Sequence, residues 1–417
     1  MKILSVSWKE NVLKGVIRLP SSKSISNRLL MIRALSNQDF QIGNLSESDD
    51  TRLLVRLLTE IQSVKGSRKV PELDTGNAGT VLRFLTAYLS FKPGHWVLTG
   101  SERMKQRPIG VLVEALKSLG AEIEYLGKLG YPPLIIHGNF FSGNDVKINT
   151  GISSQFISAL MLLAPVLPRG LTIQMKGKPV SAPYIDMTAS LMRAFGARIT
   201  TGKNWIHIFP GPYQPGPYQV ESDWSAAAFW YEAAALANEV DLELMGLRKE
   251  SLQGDAILPG IFKNFGIKTS HTRTGIKLSR VNKKTGSFFL DFTDFPDIAL
   301  PVISTCAMLG LQGRFEGLKS LRIKETDRLL AIKNELGKIG VPVAVSGSDA
   351  PVLEMTANPL TTGNDFIFES YGDHRMAMSF AMLAMKLGTV RIVNPEVVNK
   401  SYPLFWKHLV ETGFEIK

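Results

Sequence analysis

The sequence predicts an α/β protein of two domains, each built from three helix-and-strand repeats. Three observations predict it. The first is a pattern that returns along the chain: an amphipathic helix that ends in Gly and is followed by a short strand. It reads Leu116-Lys117-Ser118-Leu119-Gly120-Ala121-Glu122-Ile123 and returns at 191–199, 261–267, 334–341 and 409–416. A looser copy spans Thr51 to Gly66. Gly at that place is the left-handed helix stop. The second is a set of segments that are apolar or small on nearly every side: Ser24–Leu35, Ala78–Leu89, Ser154–Leu167, Ser225–Ala237, Asp297–Leu309 and Arg375–Leu387. A helix that is apolar all round is buried. One buried and one surface helix, joined by short strands, make a unit of about 70 residues, and the 417 residues hold six. The third is length, since 417 residues exceed one core.

The Pro/Gly-rich segment Pro210 to Tyr218 marks one crossover between domains, and Leu19-Pro20, after the strand pattern Val16-Ile17-Arg18-Leu19, marks a second. The first domain is then 20–218, and the second is 1–19 plus 219–417. The cleft between two such domains is the expected site.

Composition narrows the function. The apolar content of 44% and charged content of 20% are those of a globular protein. The start carries no secretory pattern, and the longest apolar runs, such as Ala377 to Leu387, are too short for a bilayer. A cytoplasmic location is the expectation. One cysteine excludes a disulfide framework and a thiolate metal cluster. Cys306 itself lies in an apolar run and reads as core rather than nucleophile. The six His show no paired spacing, so no metal site is expected.

A net charge of +11 favours anionic partners. The basic residues are spread along the chain, without an arm, a C2H2 pattern or an RNP or KH pattern. Lys65-to-Lys69 reads as a basic loop, so small anionic metabolites are favoured over nucleic acid.

The densest chemistry lies at Arg322-Ile323-Lys324-Glu325-Thr326-Asp327-Arg328, which runs into an amphipathic helix. On a helix, Lys324 and Arg328 share a face, and Glu325 points about 100° away. Alone, such a run is a solvated helix start. The other helix starts alter that. Ser22-to-Arg28, Gly76-to-Arg83, Ser153-Ser154-Gln155, Arg107-Pro108, Ser181-to-Tyr184, Asp373-His374-Arg375 and Lys400-to-Pro403 all cluster polar or basic residues there. Ser and Asn are ordinary N-caps. Lys or Arg at a helix N-terminus opposes the dipole, a cost that an anion in that space would offset. Gly76-to-Gly79 is no P-loop, since no Gly-Lys-Ser/Thr follows. Asp49-Asp50 could bind Mg²⁺ but reads more simply as a helix cap.

In order along the chain, these motifs resemble those of the 5-enolpyruvylshikimate-3-phosphate synthase family of enolpyruvyl transferases. The resemblance rests on Ser22-to-Arg28, Gly76-to-Thr80, Arg107-to-Gly110, Ser153-to-Phe156, Pro183-to-Asp186, Pro296-Asp297, Arg322-to-Arg328 and Asp373-to-Met378. It implies two domains, each an inside-out α/β barrel of three βαβαββ repeats with buried parallel helices. It implies transfer of the enolpyruvyl group of phosphoenolpyruvate to the 5-hydroxyl of shikimate 3-phosphate, by a monomer without metal or organic cofactor.

Residue roles follow from the resemblance. Ser153, Ser154 and Ser181 would hold the shikimate phosphate, and Arg28 and Ser24 its carboxylate. Lys324 and Gln155 would also contact shikimate 3-phosphate, Gln155 lying between the two substrates. Lys23, Gly79, Arg107 and Lys400 would hold the phosphoenolpyruvate phosphate, beside Asn77. Arg328 and Arg375 would clamp its carboxylate, a task suited to the guanidinium fork. Glu325 would protonate carbon. Asp297 would take the hydroxyl proton with Lys23 near the same oxygen, and Asp297 and Lys23 would also touch shikimate 3-phosphate. Closure over the anions would complete two half-sites that are each too positive alone. Gly79 keeps the small residue of the pocket at which glyphosate inhibits the family.

Three positions depart from the pattern. Ser320 and Gly372 stand where some members carry Asn, and Ala182 replaces a basic residue. The nearest rival, UDP-N-acetylglucosamine enolpyruvyl transferase, carries a Cys on a mobile loop of its first domain. Here Cys306 falls in the second.

Overall fold

The computed structural model describes residues 2–64, 70–281, 286–357 and 366–417. Lys65-to-Lys69, and with it the end of the looser repeat, lies outside them. Six buried helices form where the sequence is apolar on all sides: Lys23–Ser36, Gly79–Phe91, Ser154–Leu163, Trp224–Leu236, Ala299–Met308 and His374–Met382. In the last three every residue is buried. Three ends differ from the expectation. The sixth helix stops at Met382, and a separate short helix, Ala384–Leu387, follows Leu383. The third helix gives way to a 3-10 turn at Ala164–Val166, where Pro165 has no N–H to donate. Asp297 sits on a 3-10 turn, Pro296–Ile298, that leads into the fifth.

The surface helices are Asp49–Ser63, Gly110–Ser118, Ala182–Ala194, Leu258–Phe262, Arg328–Lys338 and Phe405–Glu411. The glycines that end the repeat pattern, Gly120, Gly196, Gly266, Gly340 and Gly413, all have positive φ. An L side chain there would be strained, which is why the pattern repeats with Gly.

Among the described residues, five sheets have four strands and one has two. In the sheet of Glu72–Asp74, Gly94–Thr99, Glu122–Tyr125 and Leu134–Gly138, the first two strands pair in parallel and the others antiparallel. The parallel pair is spanned by the buried helix Gly79–Phe91, and the surface helix Gly110–Ser118 precedes the antiparallel hairpin. This is a βαβαββ unit. It recurs over Asp145–Ile208 and over Phe288–Met355.

The chain divides into two compact units. The insert unit holds Lys23–Ser46 and Asp50–Val220; the terminal unit holds Met1–Ser22, Glu47–Asp49 and Glu221–Lys417. Two repeats of the terminal unit are completed from the N-terminal end of the chain. Val12–Arg18 is the parallel partner of Glu239–Met245, and Ile3–Ser7 fills the antiparallel place beside Thr389–Val393. In the insert unit, Tyr218–Gln219 pairs in parallel with Ile42–Gly43 around the first buried helix. The Pro/Gly segment that precedes it is anchored to the insert unit: the buried Tyr213 donates its hydroxyl to Leu162 O at 2.8 Å. The passing strands meet just beyond, where Ser22 N donates to Glu221 O and Asp223 N to Pro20 O, both at 2.8 Å.

Within each unit the three buried helices pack on one another. The sheet strands alternate buried and exposed residues, so one face of each sheet meets solvent. Helices inside and sheets outside give each unit its inside-out form. Starts meet starts: Gln155 reaches Thr80, and Arg375 reaches Asp297. The buried helices of a unit therefore run in one direction, and their positive dipole ends gather together. No helix among the described residues is long and apolar enough to cross a membrane.

Candidate active site

In the insert unit the polar groups lie at these gathered helix starts. Arg28 is one turn inside the first helix and 2% exposed. Its Nε donates to Thr188 Oγ1 at 2.7 Å, its Nη1 to Ser24 O at 2.9 Å, and its Nη2 to Ser158 Oγ at 3.2 Å and Tyr184 O at 3.3 Å. The guanidinium lies 5.5 Å from the Phe84 ring and 5.8 Å from that of Tyr184. No carboxylate among the described residues pairs with it. Burial pulls its pKa down to about 10. Such a buried, uncompensated cation is costly unless an anion reaches it.

Ser153 caps the third helix and accepts from Gln155 N at 3.3 Å, while Gln155 Nε2 donates to Thr80 Oγ1 at 3.1 Å. Ser154 is buried beside them. Ser181 holds φ +59° as the N-cap of Ala182–Ala194. A left-handed serine without a cap bond is strained backbone, the kind that accumulates at functional sites.

Gly79 opens the second helix behind Ala78, whose side chain cannot cap, so the N–H groups of the first turn have no side-chain partner there. Arg107 is 5% exposed; its Nη1 donates to Asn77 O at 3.2 Å and Oδ1 at 3.4 Å, and its Nε is buried without a partner. A Cβ on Gly79 would lie 2.5 Å from Arg83 Nη1 and 2.7 Å from Arg107 Nη2. Glycine is what lets both guanidinium groups approach the helix end. Lys23 pairs with Asp50 Oδ2 at 3.1 Å.

In the terminal unit three cations converge on Asp297. Lys324 Nζ lies 3.2 Å from Oδ1, Arg328 Nη1 3.5 Å from Oδ1, and Arg375 Nη2 3.4 Å from Oδ2. Arg375 Nη1 also donates to Asp297 O at 2.9 Å. Arg328 is gripped from behind by Asp373, which accepts from Nε at 2.7 Å and Nη2 at 3.2 Å. Glu325 Oε2 accepts from Arg328 Nη2 at 3.1 Å. Burial pulls the Arg328 pKa down, but Asp373, Glu325 and Asp297 together outweigh it and raise it. Burial lowers the pKa of Lys324, opposed by Asp297 and reinforced by Arg328. Lys400 ends the turn Pro395–Lys400, which packs on the helix carrying Arg375.

Two expectations need correction. Lys324 and Arg328 do not share a helix face. Lys319–Ile323 is a 3-10 turn, Lys324 has an extended backbone, and the α-helix starts only at Arg328 behind the N-cap Asp327. Asp297 brings the two together instead. The positive excess expected of the terminal half-site is also smaller than foreseen, because Asp297, Glu325 and Asp373 lie among its cations.

Sequence reasoning missed the partners that hold the named residues: Asp50 for Lys23, Thr188 and Ser158 for Arg28, Arg83 beside Gly79, and Asp373 behind Arg328. Asp373 had a signal, as an Asp placed to cap the helix that carries Arg375, and it accepts from Arg375 N at 2.9 Å; Asp50 and Arg83 had one as charged residues of a helix start. Of the departing positions, Gly372 has φ +68°, in a region that Asn also tolerates, so the exchange costs the backbone little. Ser320 is nearly buried, and its Oγ has no hydrogen-bond partner.

The family model for EPSP synthase (3-phosphoshikimate 1-carboxyvinyltransferase) matches residues 8–409. The chain belongs to the EPSP synthase family. A 3-phosphoshikimate 1-carboxyvinyltransferase of Bacteroides fragilis strain YCH46 is 44% identical over 411 residues, covering 97% of each chain. One of Sodalis glossinidius is 35% identical over 418 residues, covering 95% of this chain and 94% of that one. The fold of the EPSP synthase from Acinetobacter baumannii superposes with a TM-score of 0.76 at 23% identity, covering 100% of both chains. Every EPSP synthase motif quoted from the sequence lies inside the matched span.

Proposed function

We infer that this protein transfers the enolpyruvyl group of phosphoenolpyruvate to the 5-hydroxyl of shikimate 3-phosphate, releasing phosphate, in aromatic amino-acid biosynthesis. The observation that carries the chemistry is the convergence of Lys324, Arg328 and Arg375 on Asp297, with Glu325 on the same Arg328. It puts one candidate base and one candidate acid on a shared cationic frame.

The reaction needs a proton removed from the hydroxyl and one added to the methylene carbon. Asp297 accepts the first as the oxygen bonds to C2 of phosphoenolpyruvate, and Glu325 donates the second to C3. The tetrahedral adduct then collapses: the C2–O bond to phosphate breaks, and a proton leaves the methyl carbon to restore the double bond. Arg328 and Arg375 hold the phosphoenolpyruvate carboxylate, with Lys324 on shikimate 3-phosphate. Lys23, Asn77, Gly79, Arg107 and Lys400 receive the phosphoenolpyruvate phosphate. Ser153, Ser154, Gln155 and Ser181 receive the shikimate phosphate side, and Arg28 with Ser24 its carboxylate. The uncompensated charges of Arg28 and Arg107 support anions at both places. We also infer a cytoplasmic monomer without a nucleic-acid partner, which the even spread of Lys and Arg supports.

The test is phosphate release from phosphoenolpyruvate with shikimate 3-phosphate and, separately, with UDP-N-acetylglucosamine. Turnover is expected with the first acceptor only; turnover with the second alone overturns the assignment. Glu325→Gln should abolish turnover while both substrates still bind by calorimetry.

A further inference from the structure

Tyr371 is held in a conformation that tyrosine rarely adopts. Tyr371 and Gly372 are the central residues of a turn, with φ +53° and +68°, and Asp373 N donates to Ser370 O across it at 2.9 Å. Positive φ at both central residues is the signature of a type I′ turn, where Gly, Asn and Asp dominate. A bulky residue there is strained, and such strain persists only where the surroundings over-determine it. The turn ends on Asp373, the residue that grips Arg328.

Glu335 holds the turn in that form. It is fully buried although it lies on a surface helix, the one that Arg328 begins. Its Oε1 accepts from the Tyr371 hydroxyl at 2.6 Å, and its Oε2 accepts from Glu369 N at 3.1 Å and from Lys338 Nζ at 2.5 Å. The Tyr371 side chain is 37% exposed, so its hydroxyl bond, more than enclosure, fixes it. Arg328 and Glu335 are seven residues apart, which puts them on one face of the helix and about 10 Å apart along its axis. Segment 369–373 therefore meets that face twice: Glu369 and Tyr371 at Glu335, and Asp373 at Arg328.

We propose that Glu335 and Tyr371 are positioning residues for phosphoenolpyruvate: their hydrogen bond sets the turn that aims Asp373 at Arg328, and so fixes the guanidinium that takes the substrate carboxylate. This rests on reading Arg328 as a holder of that carboxylate.

Tyr371→Phe tests it, since it removes the hydroxyl and keeps the ring. KM for phosphoenolpyruvate should rise roughly fivefold, the weight of one hydrogen bond, while KM for shikimate 3-phosphate stays within about twofold. Asp373→Asn keeps an oxygen to cap its helix but loses the two-oxygen grip on Arg328. In that background Tyr371→Phe should raise KM for phosphoenolpyruvate by no more than about twofold, because the grip it serves is already gone. Urea denaturation checks folding. If Tyr371→Phe fails to fold, Glu335→Gln, which keeps the shape but only one acceptor oxygen, carries the same comparison. An unchanged KM for phosphoenolpyruvate, an equal rise in both KM values, or the full effect added again to Asp373→Asn marks a structural contact and overturns the proposal. Arg328→Lys separates the two readings. If it raises KM for phosphoenolpyruvate while Tyr371→Phe does not, only this proposal fails. If it leaves that KM unchanged, the assignment of Arg328 fails and takes this proposal with it.

Discussion

Arg328 is nearly sealed from solvent, yet it touches three carboxylates: Asp297 through Nη1, Glu325 through Nη2, and Asp373 through Nε and Nη2. A lysine keeps the charge but offers one point instead of a planar fork. Arg328→Lys should therefore cost about 1.5–3 kcal/mol of apparent phosphoenolpyruvate affinity, the scale of a charged hydrogen bond. Steady-state KM reads it, and an unchanged KM contradicts the role. Gly79 makes the opposite case, where the absence of a side chain is the function. The Cβ of Gly79→Ala would press on Arg83 Nη1 and Arg107 Nη2, the movable ends of long side chains. The chain should still fold, with Arg107 displaced and KM for phosphoenolpyruvate raised roughly tenfold, about one hydrogen bond to a charged group. If glyphosate occupies the same pocket, it inhibits the parent protein competitively, and the variant needs more of it. Full parent activity at high glyphosate and limiting phosphoenolpyruvate would exclude that pocket.

Helix starts do most of the work at the next scale. Asp327 Oδ1 accepts from Leu329 N at 3.1 Å and Leu330 N at 3.2 Å, so the helix begins at Arg328. Asp is a strong N-cap, while Lys and Arg at a helix start oppose its dipole. Physics therefore places the helix start after Lys324, not before it. Asp327→Ala should cost about 0.5–2 kcal/mol, read by urea denaturation, and should raise KM for phosphoenolpyruvate because Arg328 is the first helical residue. Unchanged stability and KM would show that the cap does not hold Arg328. Asp373 combines two tasks, capping one helix at Arg375 N and clamping Arg328 of another. Spacing in the chain reveals the cap but not the clamp, because 45 residues separate Asp373 from Arg328.

Across each unit the buried helices form the centre, and in the terminal unit a carboxyl lies among them. Glu232 is fully buried; Ser379 Oγ lies 2.9 Å from both of its oxygens and 3.1 Å from Ser304 Oγ. Ser379 has one proton to give. A protonated Glu232 can donate to Ser379 and leave that proton for Ser304. Burial holds the Glu232 pKa well above its ordinary 4.5, opposed by Ser379. The folded state then binds a proton that the unfolded chain releases above about pH 4.5, so stability falls as pH rises from there towards the raised folded pKa. Glu232→Gln should flatten that fall, being more stable than the parent at pH 8 and no more stable at pH 4, by urea denaturation. Equal pH slopes would show that Glu232 is not the group responsible. The sequence by itself determined the six buried helices, the Gly stops after the surface helices and the basic helix starts, because these follow from local periodicity and from φ at single residues. Tertiary structure alone decided that strands from the N-terminal end complete two terminal-unit repeats, that Lys324, Arg328 and Arg375 meet on Asp297, that Asp373 grips Arg328, and that Asp50 pairs with Lys23 in the insert unit. Those are pairings between residues far apart in the chain, and only the packing of buried, parallel helices brings their charges close enough to act on one another.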